Sequence, residues 1–174
     1  MRLYHTSELI IKNPDIFHGR KNADFGQGFY LSKDYDFCRR WSLNEAFINE
    51  YELDTGGLDI IELSRNREWF EYIFGNRRLN DTIKADVIIG PIANDTIYDT
   101  FGIISSGYLS TDEALKLLMI GPEYTQVVLK SEKAGQQLKW LDAVQVHSDE
   151  DIKALLKAEE EEYQQAFADC MQSF

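Results

Sequence analysis

Cysteine is scarce in this chain, and the two residues present, Cys38 and Cys170, do not group. Without a CxxC pair or a repeat they suggest neither a metal cage nor a disulfide framework, and they fit reduced thiols in a cytoplasm. Histidine is equally thin, and His18 and His147 are too isolated to argue for a metal site. No apolar run approaches the roughly 20 residues that a membrane-spanning helix needs, and no secretion-signal pattern opens the sequence. No membrane partner is expected. Positive charge is also short, with 18 Lys and Arg against 30 Asp and Glu and a net charge of −12. Broad binding to a nucleic-acid backbone needs cations that displace counterions, so that function class is disfavoured. A small basic groove would still admit a nucleic-acid substrate. Much of the acid lies in Asp149–Asp151 and Glu159–Glu162, and without those seven charges about −5 remains on the rest. Missing too are a P-loop, a Gly-x-Ser-x-Gly elbow, the kinase motif set, HExxH and the Rossmann glycine fingerprint.

What is present suits one globular domain. The chain has 174 residues, 44% hydrophobic and 13% aromatic, enough to bury a self-sufficient core. Short strands are expected at Arg2–Thr6, Phe29–Ser32, Ala85–Ile89, Thr125–Lys130 and about Trp140–Val146. Turn-rich residues make Ser7–Ala23 a loop. Ser32 or Asp34 is placed to cap a helix over residues 35–48, carrying Phe37, Cys38, Trp41 and Phe47. Asn49–Leu53 and Leu58–Leu63 flank Asp54-Thr55-Gly56-Gly57, a hairpin signal. Helices follow after Ser64, near Asn94 or Asp95, and at Ala114–Met119. A C-terminal amphipathic helix opens near Ser148 and Asp151 and keeps an apolar rhythm through Leu155, Leu156, Tyr163 and Phe167. Such a helix packs on its own domain or into a partner's groove. The mixture indicates an α+β class, with a domain over 1–147 and the helix over 148–174.

The richest stretch is Asp24-Phe25-Gly26-Gln27-Gly28-Phe29-Tyr30-Leu31-Ser32, which follows an early Tyr4-His5-Thr6-Ser7. Glycines at 26 and 28 permit positive φ or a close backbone approach, and the tyrosine after them offers a ring face for stacking. Taken alone, the glycine–aromatic pattern also suits a tight turn feeding a core strand. Asp24 is suited to brace the bend through backbone N–H groups. Arg20, in the preceding loop, has the geometry to pair with phosphate; a solvated loop charge is the plainer alternative.

Together these segments resemble the nicotinamide-binding half of the ADP-ribosyltransferase superfamily, in its diphtheria-toxin and poly-ADP-ribose-polymerase branch. The order is His5, then Gly26-x-Gly28-x-Tyr30, then a third polar residue on a late strand, here Gln126. The chain looks most similar to a bacterial and phage family known as domain of unknown function 3990, through Asp24–Tyr30, Gly90-Pro91-Ile92-Ala93-Asn94-Asp95 and Gln126. The resemblance implies a fold of two facing, mostly antiparallel sheets around an NAD cleft, flanked by short helices. It implies transfer of ADP-ribose from NAD to a macromolecular acceptor, protein or nucleic acid, with no metal. A small antitoxin would be a partner if the protein acts as a toxin. By the same resemblance His5 would hydrogen-bond the adenine-side ribose, the Thr6 backbone would hold the nicotinamide amide, and Tyr30 would stack on its ring. Ser7, Arg20, Phe25, Gly26 and Gly28 complete the expected binding set.

Two positions depart from the branch: Thr6 stands where Gly is usual, and Gln126 where Glu is usual. An amide still hydrogen-bonds a ribose hydroxyl but brings no charge, a loss of about 1–3 kcal/mol or one to two decades of rate. Glu123, three residues earlier, is a candidate source of the carboxylate, or a solvated loop residue. A non-catalytic NAD or ADP-ribose binding module, and a protein-interaction subunit that keeps the fold, are the alternatives.

Overall fold

Alternating and β-branched residues build the centre of the molecule. The computed structural model describes residues 1–42, 45–92, 109–147 and 150–173. Among these, seven strands form one hydrogen-bonded sheet: β1 (Arg2–Ser7), β2 (Phe29–Ser32), β3 (Glu45–Leu53), β4 (Ile60–Glu62), β5 (Val87–Pro91), β6 (Thr125–Leu129) and β7 (Leu138–His147). Their order is β4-β5-β6-β2-β1-β3-β7, antiparallel throughout except for the parallel β4–β5 pair. Five helices accompany them among the described residues: α1 (Tyr35–Arg39), α2 (Arg67–Arg77), α3 (Thr111–Leu118), α4 (Glu132–Gln136) and α5 (Glu150–Gln172). The fold is thus α+β. The helix expected at Asn94 or Asp95 and the cap at Ser148 lie outside the described residues.

Two facing sheets are the expectation; the described strands form one hydrogen-bonded sheet, and its continuity is uneven. β1 pairs with β3 over six positions, Arg2 to Ser7. With β2 it shares a single register pair, Tyr4 opposite Ser32. Backbone groups alternate sides along a strand, so those of β1 beyond Tyr4 that face β2 have no ladder partner there. The sheet is therefore divided into two halves joined at a narrow seam.

Each face of the sheet carries its own core. One gathers Leu3, Phe29, Leu31, Tyr51, Val127 and Leu129; the other gathers Phe25, Trp69, Phe70, Ile73, Ile88 and Val128. Helix α2 supplies the second core with the fully buried Trp69, whose Nε1 donates to the Pro91 carbonyl at 2.8 Å. Asn66 caps that helix by accepting from the Trp69 backbone N–H. Ser110 caps α3 through a capping box with Glu113.

Two local expectations change. The helix over 35–48 shrinks to α1, capped by Asp34, because Ala46 and Ile48 alternate into the core as strand residues while Trp41 is exposed. The expected hairpin around Asp54–Gly57 does not form either. β3 lies between β1 and β7, whereas β4 crosses over through α2 to lie beside β5. Helix α5 forms, yet Tyr163 is its one buried residue and Leu155 is half exposed.

Candidate functional site

The site begins with the glycine bend. Gly26 has φ +71°, in the left-handed region that penalises side chains. Its carbonyl accepts from the Tyr30 hydroxyl at 2.7 Å, and the same hydroxyl accepts from the Phe25 N–H at 3.0 Å. Lys130 reaches up from the end of β6 to the Phe25 carbonyl and pairs with Asp81 at 2.8 Å. Gly28 serves packing: a Cβ there would sit 2.6 Å from Val128 Cγ1 and 2.7 Å from the Leu129 carbonyl oxygen. Phe25 is fully buried beneath the bend and does not line the cleft. Asp24 is held by Arg77, whose Nη2 lies 2.6 Å from Oδ1, and its carbonyl accepts from Asn76 at 2.9 Å. Helix α2 thus braces the bend through Asp24.

Tyr30 is consequently locked at two hydrogen bonds, and it lines a cleft of about 830 Å³. Burial pushes its phenol pKa up, so the hydroxyl remains protonated. Across the seam, His5 Nδ1 lies 2.7 Å from the Tyr30 carbonyl. A carbonyl only accepts, so the proton sits on Nδ1 and the neutral ring keeps its Nε2 lone pair for another donor. Burial lowers the imidazole pKa, partly opposed by that same hydrogen bond. Phe29 backs the ring at 4.6 Å between centroids. Thr6 lines the cleft as well, but its hydroxyl is committed to the Cys38 carbonyl at 2.6 Å.

Strand register delivers Gln126. Tyr30 stands opposite Val128 and Ser32 opposite Gln126, so Gln126 is the diagonal neighbour of Tyr30 on the same face. Gly90 flanks it on β5. Gln126 lines the cleft, and its carboxamide makes no hydrogen bond among the described residues. By strand alternation His5 is on the other side from Tyr30 and Gln126, with its ring against Phe29, yet all three, from three strands, border one cleft at the seam. Arg20 joins them as an exposed cation on its rim. Ser7 and Glu123 do not line it. The Ser7 hydroxyl accepts from the Leu9 N–H, and Glu123 is exposed, its charge acting on Arg65.

The opposite wall was not anticipated. Arg40, the C-cap of α1, lies 4.5 Å over the ring of Tyr124, and Tyr124 stacks on Phe37 at 4.7 Å. Trp41 continues this wall, packing edge-on against Phe37. Tyr124 was within reach of sequence reasoning, because it sits two residues before Gln126 and must share its face. Arg40 and Trp41 were hidden by the assumption of a long buried helix. Arg65 also borders the cleft, donating to the Ile120 and Gly121 carbonyls after α3 at 3.0 and 3.1 Å. Cys38 lines the cleft too, its thiol pushed up to about 12 by burial. Finally α5 closes one side with Leu156, Glu159, Glu160 and Tyr163.

Among the described residues no helix is long and apolar enough to cross a membrane. No curated protein and no solved structure matches this sequence. The family described as Protein of unknown function (DUF3990) matches residues 1–140, which include β1 to β6 and most of the cleft, and the chain belongs to that family.

Proposed function

We propose that the cleft binds NAD and that the protein transfers ADP-ribose from it to a macromolecular acceptor, on an ADP-ribosyltransferase-like fold. The observation that carries this reading is the meeting of His5, Tyr30 and Gln126 on one cleft. Its volume, about 830 Å³, falls within the range of small-molecule sites, roughly 300–1,000 Å³. In this reading the Tyr30 ring stacks on nicotinamide, held at a fixed angle by its bonds to Gly26 and Phe25. His5 Nε2 accepts a ribose hydroxyl, its tautomer set by the Tyr30 carbonyl. Gln126 holds a hydroxyl of the nicotinamide-side ribose through its amide oxygen. The glycosidic bond breaks with its electron pair going to the nicotinamide nitrogen, the acceptor nucleophile bonds to C1′, and the acceptor's proton passes to solvent. Placing dipoles before charge develops is the main lever such a site has.

The test is incubation with NAD labelled in its adenylate half, following nicotinamide release and labelled acceptor, beside His5→Ala and Tyr30→Ala. Release by the wild type and its loss in both variants would support transfer. No release with protein or nucleic-acid acceptors, from folded protein, would remove it. The uncharged Gln126 favours a second reading, a module that binds NAD or ADP-ribose without turnover; calorimetric binding with no nicotinamide release would establish that one. Growth arrest on expression, abolished by either alanine variant, would support a toxin role and the search for a neutralising partner.

A further inference from the structure

Helix α5 does something at the cleft that the nucleotide reading does not use. The Glu159 carboxylate pairs with the Arg40 guanidinium, and its Oε1 also accepts from the Tyr124 hydroxyl at 3.1 Å. The Arg40 side chain is only 11% exposed, and it is oriented by the Tyr124 ring beneath it. A guanidinium fixed by stacking and withdrawn from water is suited to bind an oxyanion. Among the described residues, the one carboxylate it meets comes from outside the family-matched segment, residues 1–140. Among the described residues of that segment, Arg40, Tyr124 and the cleft face of β6 form a seat with no carboxylate paired to Arg40.

The helix supplying the anion is lightly held. Of its residues only Tyr163 is buried, against Gly121, where a Cβ would meet the ring at 3.2 Å. The segment Glu159–Glu162 is wholly acidic, and Leu155 faces solvent at 50% exposure. An acidic helix thus lies against a cleft bordered by Arg20, Arg40 and Arg65.

We infer that α5 is an intrachain competitor: Glu159 occupies, on Arg40 and Tyr124, the seat of a phosphate group of the cleft's ligand, and that phosphate must displace it. The inference deepens the nucleotide reading and relies on it only for the ligand's phosphates. Resting protein is then covered, and binding requires α5 to let go at Glu159. An affinity measured on a partly closed protein is reduced by the fraction that is open.

The experiment uses the full chain, wild type and Glu159→Gln, with inorganic pyrophosphate and NAD as separate probes in titration calorimetry. Glu159→Gln keeps the side chain's shape and removes its charge, so pyrophosphate affinity should rise about tenfold. Arg40→Gln should abolish binding both alone and with Glu159→Gln. Amide exchange across α5 should quicken when wild type is saturated with pyrophosphate, and should already be quick in Glu159→Gln. Equal or absent pyrophosphate binding in wild type and Glu159→Gln overturns the inference, as does α5 protection that ignores the ligand. Pyrophosphate has no nicotinamide, so its result stands apart from turnover. A protein that cleaves NAD but fails the pyrophosphate test loses only the competitor. One that passes without cleaving NAD keeps it.

Discussion

Gly28 and His5 show how single residues set this cleft. At Gly28 the obstacles to a Cβ include the Leu129 carbonyl, which belongs to a paired strand and has little room to retreat. Gly28→Ala should therefore cost about 1–3 kcal/mol of stability, read from urea denaturation at unchanged slope. His5 makes stability depend on pH. Its folded pKa lies below the ordinary 6.5, so between those values the unfolded chain holds the extra proton and stability rises with pH. The native protein should lose stability as pH falls through about 6.5, and His5→Gln should flatten that part of a urea-midpoint profile. If transfer occurs, Gln126→Glu should speed nicotinamide release by roughly ten- to a hundredfold, as a charged acceptor replaces a neutral one. Single-turnover kinetics would show it. That His5, Tyr30 and Gln126 share one cleft was legible from the order and spacing of their motifs. The lock on Tyr30 was not, since its partners are backbone groups that any residue carries.

At the scale of elements, termini signalled themselves better than pairings did. Ser110 with Glu113 forms a reciprocal cap for α3, the helix that sends the buried Leu117 and Leu118 inward, and Arg65 binds the Ile120 and Gly121 carbonyls just beyond its end. Ser110→Ala should cost about 1 kcal/mol, measured by chemical denaturation. Strands β2, β5 and β6 could be read from their short apolar runs. The partner of β4 could not be, because Asp54–Gly57 turns locally in the manner of a hairpin while the hydrogen bonds go to β5. Local turn chemistry says where a chain bends; which edge it then joins is decided by distant residues. The spacing of Phe37, Trp41 and Phe47 misled for a related reason, since a helix period and a strand period overlap across so few positions.

The whole molecule is a sheet in two halves, joined at the Tyr4–Ser32 pair and by His5 reaching the Tyr30 carbonyl. A ligand held by residues on both sides of that seam stabilises the folded chain by mass action. At a hundredfold excess over Kd the gain is about 2.7 kcal/mol, a rise in Tm of roughly 5–10 °C for a chain of this size. Thermal scans with and without NAD would measure it, and an unchanged Tm at millimolar NAD would argue against binding. Architecture at this scale was partly legible: α+β followed from the order of elements, but a seam one register pair wide leaves no trace in composition. The two thiols have a practical use. Cys38 is buried in the cleft lining and held as a poorly nucleophilic thiol, while Cys170 is partly exposed near the far end of α5. A maleimide dye would therefore attach preferentially to Cys170, giving a fluorescent reporter of that helix's departure without any engineered handle.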